Sequence, residues 1–162
     1  ISRSLIRVML RTLALLRHAL ASGQSPDAKL LPDGVAYLHR LGAKLEAEGW
    51  KPGAIVTSPY MRARDSAGVL ATVLGYETRV VVLSELAPES EPDEALAAIT
   101  AAAPLATPVL VVTHLPLVGR LAQTLLGEDL SFSPGTLVEI VREGEGVARL
   151  IRRIGPRDLA GV

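Results

Sequence analysis

Cysteine is absent from the 162 residues. That removes disulfides, thiolate metal sites and a cysteine nucleophile together, and it fits a reducing, cytoplasmic setting. Net charge is absent too, because 17 basic residues balance 17 acidic ones. Nothing global therefore steers the chain to nucleic acid or to an acidic membrane surface, and any anion selectivity is local. No apolar run is long enough to span a bilayer. Several common signatures are missing as well: a Gly-rich lysine loop for nucleotide phosphates, a two-histidine helix for zinc, and a Gly-x-Ser-x-Gly elbow. No paired aspartates stand at a strand end to hold magnesium. What remains for anionic chemistry is arginine and three histidines.

What is present is one design used three times. Leu13-Ala14-Leu15-Leu16 runs into Arg17-His18. Four aliphatic residues without polar alternation fit a strand covered on both faces, as in a parallel sheet. Ala54-Ile55-Val56 runs into Thr57-Ser58-Pro59 with Arg62 and Arg64 just beyond, and Val109-Leu110-Val111-Val112 runs into Thr113-His114. In open α/β sheets, ligands bind outside the carboxyl ends of the strands. If these three are parallel neighbours, Arg17, His18, Arg62 and His114 share one crevice, a phosphate site with a nucleophile in it.

Between the strands the periodicity is helical. Val35, Leu38, Leu41 and Leu45 mark a helix over about 32–48 with Gly49 as its stop, and His39 falls off that stripe as a surface residue. Ala63, Ala67, Leu70, Ala71 and Leu74 mark a second over about 61–74. Arg62 thus sits in a first turn, where unpaired N–H groups and the dipole favour an anion and a guanidinium adds a bidentate contact. Arg64 is expected to face solvent. The loop after His18 offers Ser22 and Gln24 to a substrate, although a loop of this composition is usually just solvated. A third strand over 79–83 leads to Glu85, a candidate general acid, then to an acidic connector and a helix over about 94–102. A helix from Leu117 to about Gly127 follows. Residues 136–142 and 147–154 form a hairpin turned through Glu143-Gly144-Glu145-Gly146.

The expected fold is therefore α/β: a three-layer sandwich with a mostly parallel mixed sheet flanked by helices, in one domain. Residues 1–8 read as an upstream extension or expression remnant, with the domain over 9–162 and a natural start at Met9.

Three motifs in order carry a family resemblance. Leu16-Arg17-His18-Ala19 resembles the Arg-His-Gly signature of the histidine phosphatase superfamily, in the Arg-His-Ala form of its small SixA-type phosphohistidine phosphatases. Ser58-Pro59-Tyr60-Met61-Arg62-Ala63 is similar to the family's Ser-Pro-x-x-Arg-Ala, and Thr113-His114-Leu115-Pro116-Leu117-Val118-Gly119 to its second-histidine segment. Leu30 to Gly34 stands where the family has Leu-Thr-x-x-Gly. The departures are Ala19 for glycine, Leu31 for Thr or Ser, and Asp65-Ser66 for Gln-Thr; none removes a catalytic group.

The resemblance implies a phosphoglycerate mutase-like fold. It makes His18 the nucleophile, with Arg17, Arg62 and His114 around the phosphoryl group, Glu85 an unassigned acid, and neither metal nor cofactor. Larger members insert a helical lid that this chain lacks, so its crevice should be open. An open crevice and the SixA-type motifs both imply a phosphorylated protein as partner, such as a histidine phosphotransfer domain, rather than nucleic acid or membrane. Two alternatives stand beside that one: a small-molecule phosphomonoesterase, and a module that binds phosphorylated groups without turnover.

Overall fold

The computed structural model describes residues 10–75, 80–103, 107–143 and 148–161. Strands β1 (Leu10–Arg17), β2 (Ala54–Thr57), β3 (Val80–Val82), β4 (Val109–Thr113), β5 (Leu137–Glu143) and β6 (Ala148–Ile154) form one sheet in the order β3-β2-β4-β1-β5-β6. β1, β2, β3 and β4 run parallel, whereas β5 is antiparallel to β1 and β6 to β5. The helices are α1 (Pro32–Ala47), α2 (Met61–Leu74), α3 (Pro92–Ala102) and α4 (Leu117–Leu126).

Alternation along the strands builds two cores. Leu13 and Leu15 of β1, Val56 of β2 and Val109 and Val111 of β4 pack with Ile99 of α3 and Leu117, Val118 and Leu121 of α4. Ala14 and Leu16, Ile55, and Leu110 and Val112 point the other way, onto Leu38, Leu41 and Leu45 of α1 and Ala63, Ala67 and Leu70 of α2. Each fully buried leucine is worth roughly 2 kcal/mol of apolar transfer. This is the expected three-layer sandwich, with β4 between β1 and β2 so that the three motif-bearing strand ends are neighbours.

Some boundaries differ from expectation for physical reasons. β1 begins at Leu10, not Leu13, because Leu10, Arg11 and Thr12 find antiparallel partners in Glu143, Arg142 and Val141. α3 begins at Pro92 rather than near Glu94, since proline suits a first helical position that has no N–H partner to lose. α1 buries Tyr37 beside Leu38 and leaves Val35 only half-buried. α2 and the end of α4 lie where periodicity puts them, with Gly75 and Gly127 in the left-handed conformation at the two C-termini. Residues 1–9, the start of the third strand at Arg79 and the hairpin turn at 144–147 lie outside the described residues. Among the described residues no helix is long and apolar enough to cross a membrane.

Candidate active site

The carboxyl ends of β1, β2 and β4 are tied by backbone bonds before any side chain takes part. His18 N donates to Thr113 O at 3.0 Å, and Ser58 N donates to Val112 O at 3.0 Å. The loop before β5 completes the frame. Arg17 N donates to Thr136 O, and the Gly135 N–H reaches the carbonyls of both Arg17 and His18, at 3.0 and 2.9 Å. Gly135 has φ 86, and a Cβ there would stand 2.5 Å from the Tyr37 ring, so only glycine closes this turn. α1 abuts the same frame: a Cβ on Gly34 would meet Leu20 O at 2.5 Å.

On that frame His18, Arg62 and His114 converge, each buried. His18 Nδ1 lies 2.8 Å from Ala19 O. A carbonyl only accepts, so Nδ1 carries the proton and Nε2 keeps the lone pair. That lone pair accepts from Arg62 Nε at 3.1 Å. The His18 and His114 rings are 5.1 Å apart between centroids. His114 Nε2 is 2.6 Å from Ser58 Oγ, and its Nδ1 is buried without a hydrogen-bond partner among the described residues. Arg17 is anchored through Nη1 to Phe132 O at 2.8 Å, while its Nε is also buried and unpartnered.

Electrostatics follow from burial among cations. Desolvation, then Arg62 and Arg17 against the opposing Ala19 hydrogen bond, brings His18 down to about 4 from the ordinary 6.5. Desolvation, then His18, Arg62 and Arg17, brings His114 down to about 3. Both rings are neutral near neutral pH, and His18 Nε2 is free of a proton. Arg17 and Arg62 are held below the usual guanidinium range, in each case mainly by desolvation. Among the described residues no carboxylate pairs with either arginine. A buried cluster with two guanidiniums and no acid is complementary to a dianion such as phosphate.

In the first turn of α2, Met61 N donates to Pro26 O at 2.8 Å and Ala63 N to Tyr60 O at 3.1 Å, so two of the N–H groups expected to favour an anion are already engaged. Arg62 itself is clamped by Nη1 to the carbonyls of Gln24 and Ser25, at 3.2 and 2.9 Å. The loop after His18 therefore acts through its backbone. The Ser22 side chain is exposed, with nothing joining it to the other four residues, and the Gln24 side chain is exposed too. Glu85 stands in a 3-10 turn, Ser84–Leu86, where its Oε1 accepts from Ser84 Oγ at 3.0 Å. Thr113 Oγ1 donates to Leu86 O, which keeps that turn at the same edge without joining Glu85 to the histidines. Arg64 and His39 are exposed, as expected. Among the described residues no group of three or more His, Cys, Asp or Glu could hold a metal ion.

A family model matches residues 13–87: the histidine phosphatase superfamily, branch 1. Over those residues the chain is similar to that superfamily. The match spans the Arg17-His18 and Ser58-Pro59-x-x-Arg62 motifs and ends just past Glu85, so His114 lies outside it and joins the other residues through the fold. No curated protein matches the chain by sequence. Among solved structures the chain is similar to the protein histidine phosphatase SixA complexed with tungstate, with TM-score 0.80 and 22% identity over 91% of this chain and 99% of that one. It is also similar to SixA from Nakamurella multipartitia, with TM-score 0.77 and 26% identity over 91% and 96%. Phosphoglycerate mutase from Plasmodium falciparum shares the fold, with TM-score 0.68 and 17% identity over 91% and 92%.

Two residues that hold this site together escaped the reading of the sequence. Ser66 Oγ accepts from Ala19 N at 3.0 Å and donates to Arg62 O at 2.8 Å, so one hydroxyl links the loop after His18 to the helix carrying Arg62. Its place one turn after Arg62 on the buried face was the available signal. Gly135 was the other, and its signal was the Ser133-Pro134-Gly135 turn before a strand.

Proposed function

We propose that this phosphatase removes the phosphoryl group from phosphohistidine on a protein, through a covalent phosphohistidine formed on its own His18. The observation that carries the reading is His18 itself: neutral, with Nδ1 held to the Ala19 carbonyl and the Nε2 lone pair turned toward Arg62. A nucleophile needs an unprotonated nitrogen, which the fixed tautomer supplies, and Arg62 gives up its bond to that pair as the phosphoryl group enters.

In the first step the Nε2 pair forms a bond to phosphorus while the bond to the leaving imidazole breaks, its electron pair returning to that ring. The imidazole departs neutral once its far nitrogen carries a proton, so this substrate asks less of a general acid than an alkoxide would. Arg17, Arg62 and His114 surround the phosphoryl oxygens, and the fixed guanidiniums match charge that spreads over them in the transition state. In the second step water attacks phosphorus, the P–N bond to His18 breaks, and inorganic phosphate leaves with the pair restored to Nε2. The arginines carry the charge that a metal carries in other phosphoryl transfers.

Access supports a protein substrate. Residues 22–27 are exposed, and among the described residues no helical insertion covers the edge. A site without a cover suits a phosphate presented on another molecule, whereas a small ester is better held by enclosure. The absence of cysteine suits work in a reducing cytoplasm.

The test compares initial rates, without added metal, on a phosphohistidine-bearing histidine phosphotransfer domain and on a panel of small phosphate esters. The expected result is kcat/KM at least about tenfold higher on the phosphoprotein, a difference of one decade in transition-state binding. Faster turnover of one small ester overturns the substrate assignment.

A further inference from the structure

Beside the catalytic edge lies a groove of about 790 Å³, between the start of α1, the loop before β5 and the segment after β6. It is far larger than a phosphoryl group requires, and phosphate chemistry uses none of its side chains. None of Arg17, His18, Arg62 and His114 lines the groove, but the segments that line it adjoin theirs. Leu20, on its rim and 45% exposed, lies two residues after His18. Ser133 and Pro134 on the opposite wall precede Gly135, whose N–H holds the Arg17 and His18 carbonyls. Tyr37 forms part of the lining and donates to Gly135 O at 2.6 Å.

Charge gives the groove a preference. Arg40, Arg153 and Arg157 line it against Asp33 and Asp158. Asp158 Oδ2 is already engaged by Gly155 N at 2.7 Å. Arg157 is exposed and makes no ion pair among the described residues, and Arg153 spends only Nη2, on Ser131 O. On a chain with no net charge this local excess of arginine is a distinct feature. A carboxylate-bearing segment fits it, with an apolar side chain against Leu20.

We infer that this groove docks the phosphorylated protein, taking an acidic segment next to its phosphohistidine along Arg40, Arg153 and Arg157 while the phosphoryl group enters at His18. The inference rests on the proposed phosphohistidine activity and adds the surface that would confer selectivity on an open site. Rim charges of this kind act mainly on encounter and on discrimination between partners.

The experiment measures kcat and KM for the wild type, Arg157→Glu and Asp33→Asn, on a phosphohistidine-bearing phosphotransfer domain and on para-nitrophenyl phosphate. Arg157→Glu is expected to raise KM for the phosphoprotein about threefold to tenfold, and Asp33→Asn to lower it about twofold, with small-ester kinetics unchanged. Opposite shifts from two surface variants exclude simple loss of fold. Unchanged KM in both variants, with the phosphoprotein still turned over, overturns the docking surface and leaves the activity standing. Equal effects on both substrates overturn it as well, because the groove would then act on the site rather than on the partner. Dissociation of a dimer by Arg157→Glu, with KM unmoved, assigns the groove to a second copy and also overturns it. A wild type that turns over the small ester but not the phosphoprotein overturns instead the activity on which the inference rests.

Discussion

Arg152 and Arg62 are both partly or wholly buried guanidiniums close to the sheet, and their surroundings are opposite. Arg152 donates from Nε to Glu139 Oε1 at 2.8 Å and meets Glu48 through Nη1 and Nη2 at 2.9 and 2.8 Å. Glu139, almost fully buried, takes a further bond from Trp50 Nε1 at 3.0 Å. Hydrogen bonding to Glu48 leads the causes that raise Arg152 above the ordinary guanidinium range. Arg62 and Arg17 have backbone carbonyls and a neutral imidazole for company, and desolvation holds both below that range. The paired arginine is spent on joining β5, β6 and the end of α1. The unpaired ones keep a charge that no protein carboxylate neutralises, and on the proposed mechanism that charge meets the phosphoryl group.

Removing one arginine of each kind separates the two roles. Arg62→Ala should lower kcat/KM by about 10²–10³, and it strands no buried carboxylate. Arg152→Ala should leave turnover unchanged and cost about 2 kcal/mol, because Glu139 then stays buried with only Trp50 as a hydrogen-bond partner. Steady-state kinetics and urea denaturation of the two variants check this pair. A slow Arg152→Ala enzyme or a fully active Arg62→Ala enzyme would break the contrast.

A smaller effect is carried by protons. With His18 brought down to about 4 and His114 to about 3, their ring resonances should remain those of neutral imidazole through pH 6.5, in an NMR titration. The unfolded chain binds protons at these residues near the ordinary 6.5 while the folded chain does not. Their contribution to stability is therefore complete above about 6.5 and is lost as pH falls through that value toward about 4 and 3. In Arg62→Ala the His18 midpoint should move up, as both burial and repulsion ease. A wild-type midpoint at 6.5 would show a site wetter than its geometry implies.

The residues that bear charge at strand ends were legible because a strand's polar stop is a side-chain event: Arg17-His18, Ser58-Pro59 and Thr113-His114 each interrupt an aliphatic run. Helix α2 was legible because small residues recur on its buried face. What escaped is what backbone atoms do. The carbonyls of Gln24, Ser25 and Phe132 that clamp the arginines, and the Pro26 carbonyl that occupies Met61 N, carry no signature in residue identity. Ser66 inside a helix reads as filler until Ala19 N is placed against it. Tyr37 replaces Val35 in the core because the facing of α1 is set by its contact with Gly135 and not by hydrophobicity alone. Glu139 in a strand reads as an exposed position, and only Trp50 and Arg152 explain its burial.

The most direct measurement of the central claim is alkaline quench of the enzyme during turnover of a phosphohistidine-bearing protein, followed by mapping of the phosphorylated peptide by mass spectrometry. The account predicts phosphate on His18, no label in His18→Ala, and loss of turnover in that variant by about 10⁴-fold or more. Label on His114, or a His18→Ala enzyme that still turns over, would contradict it.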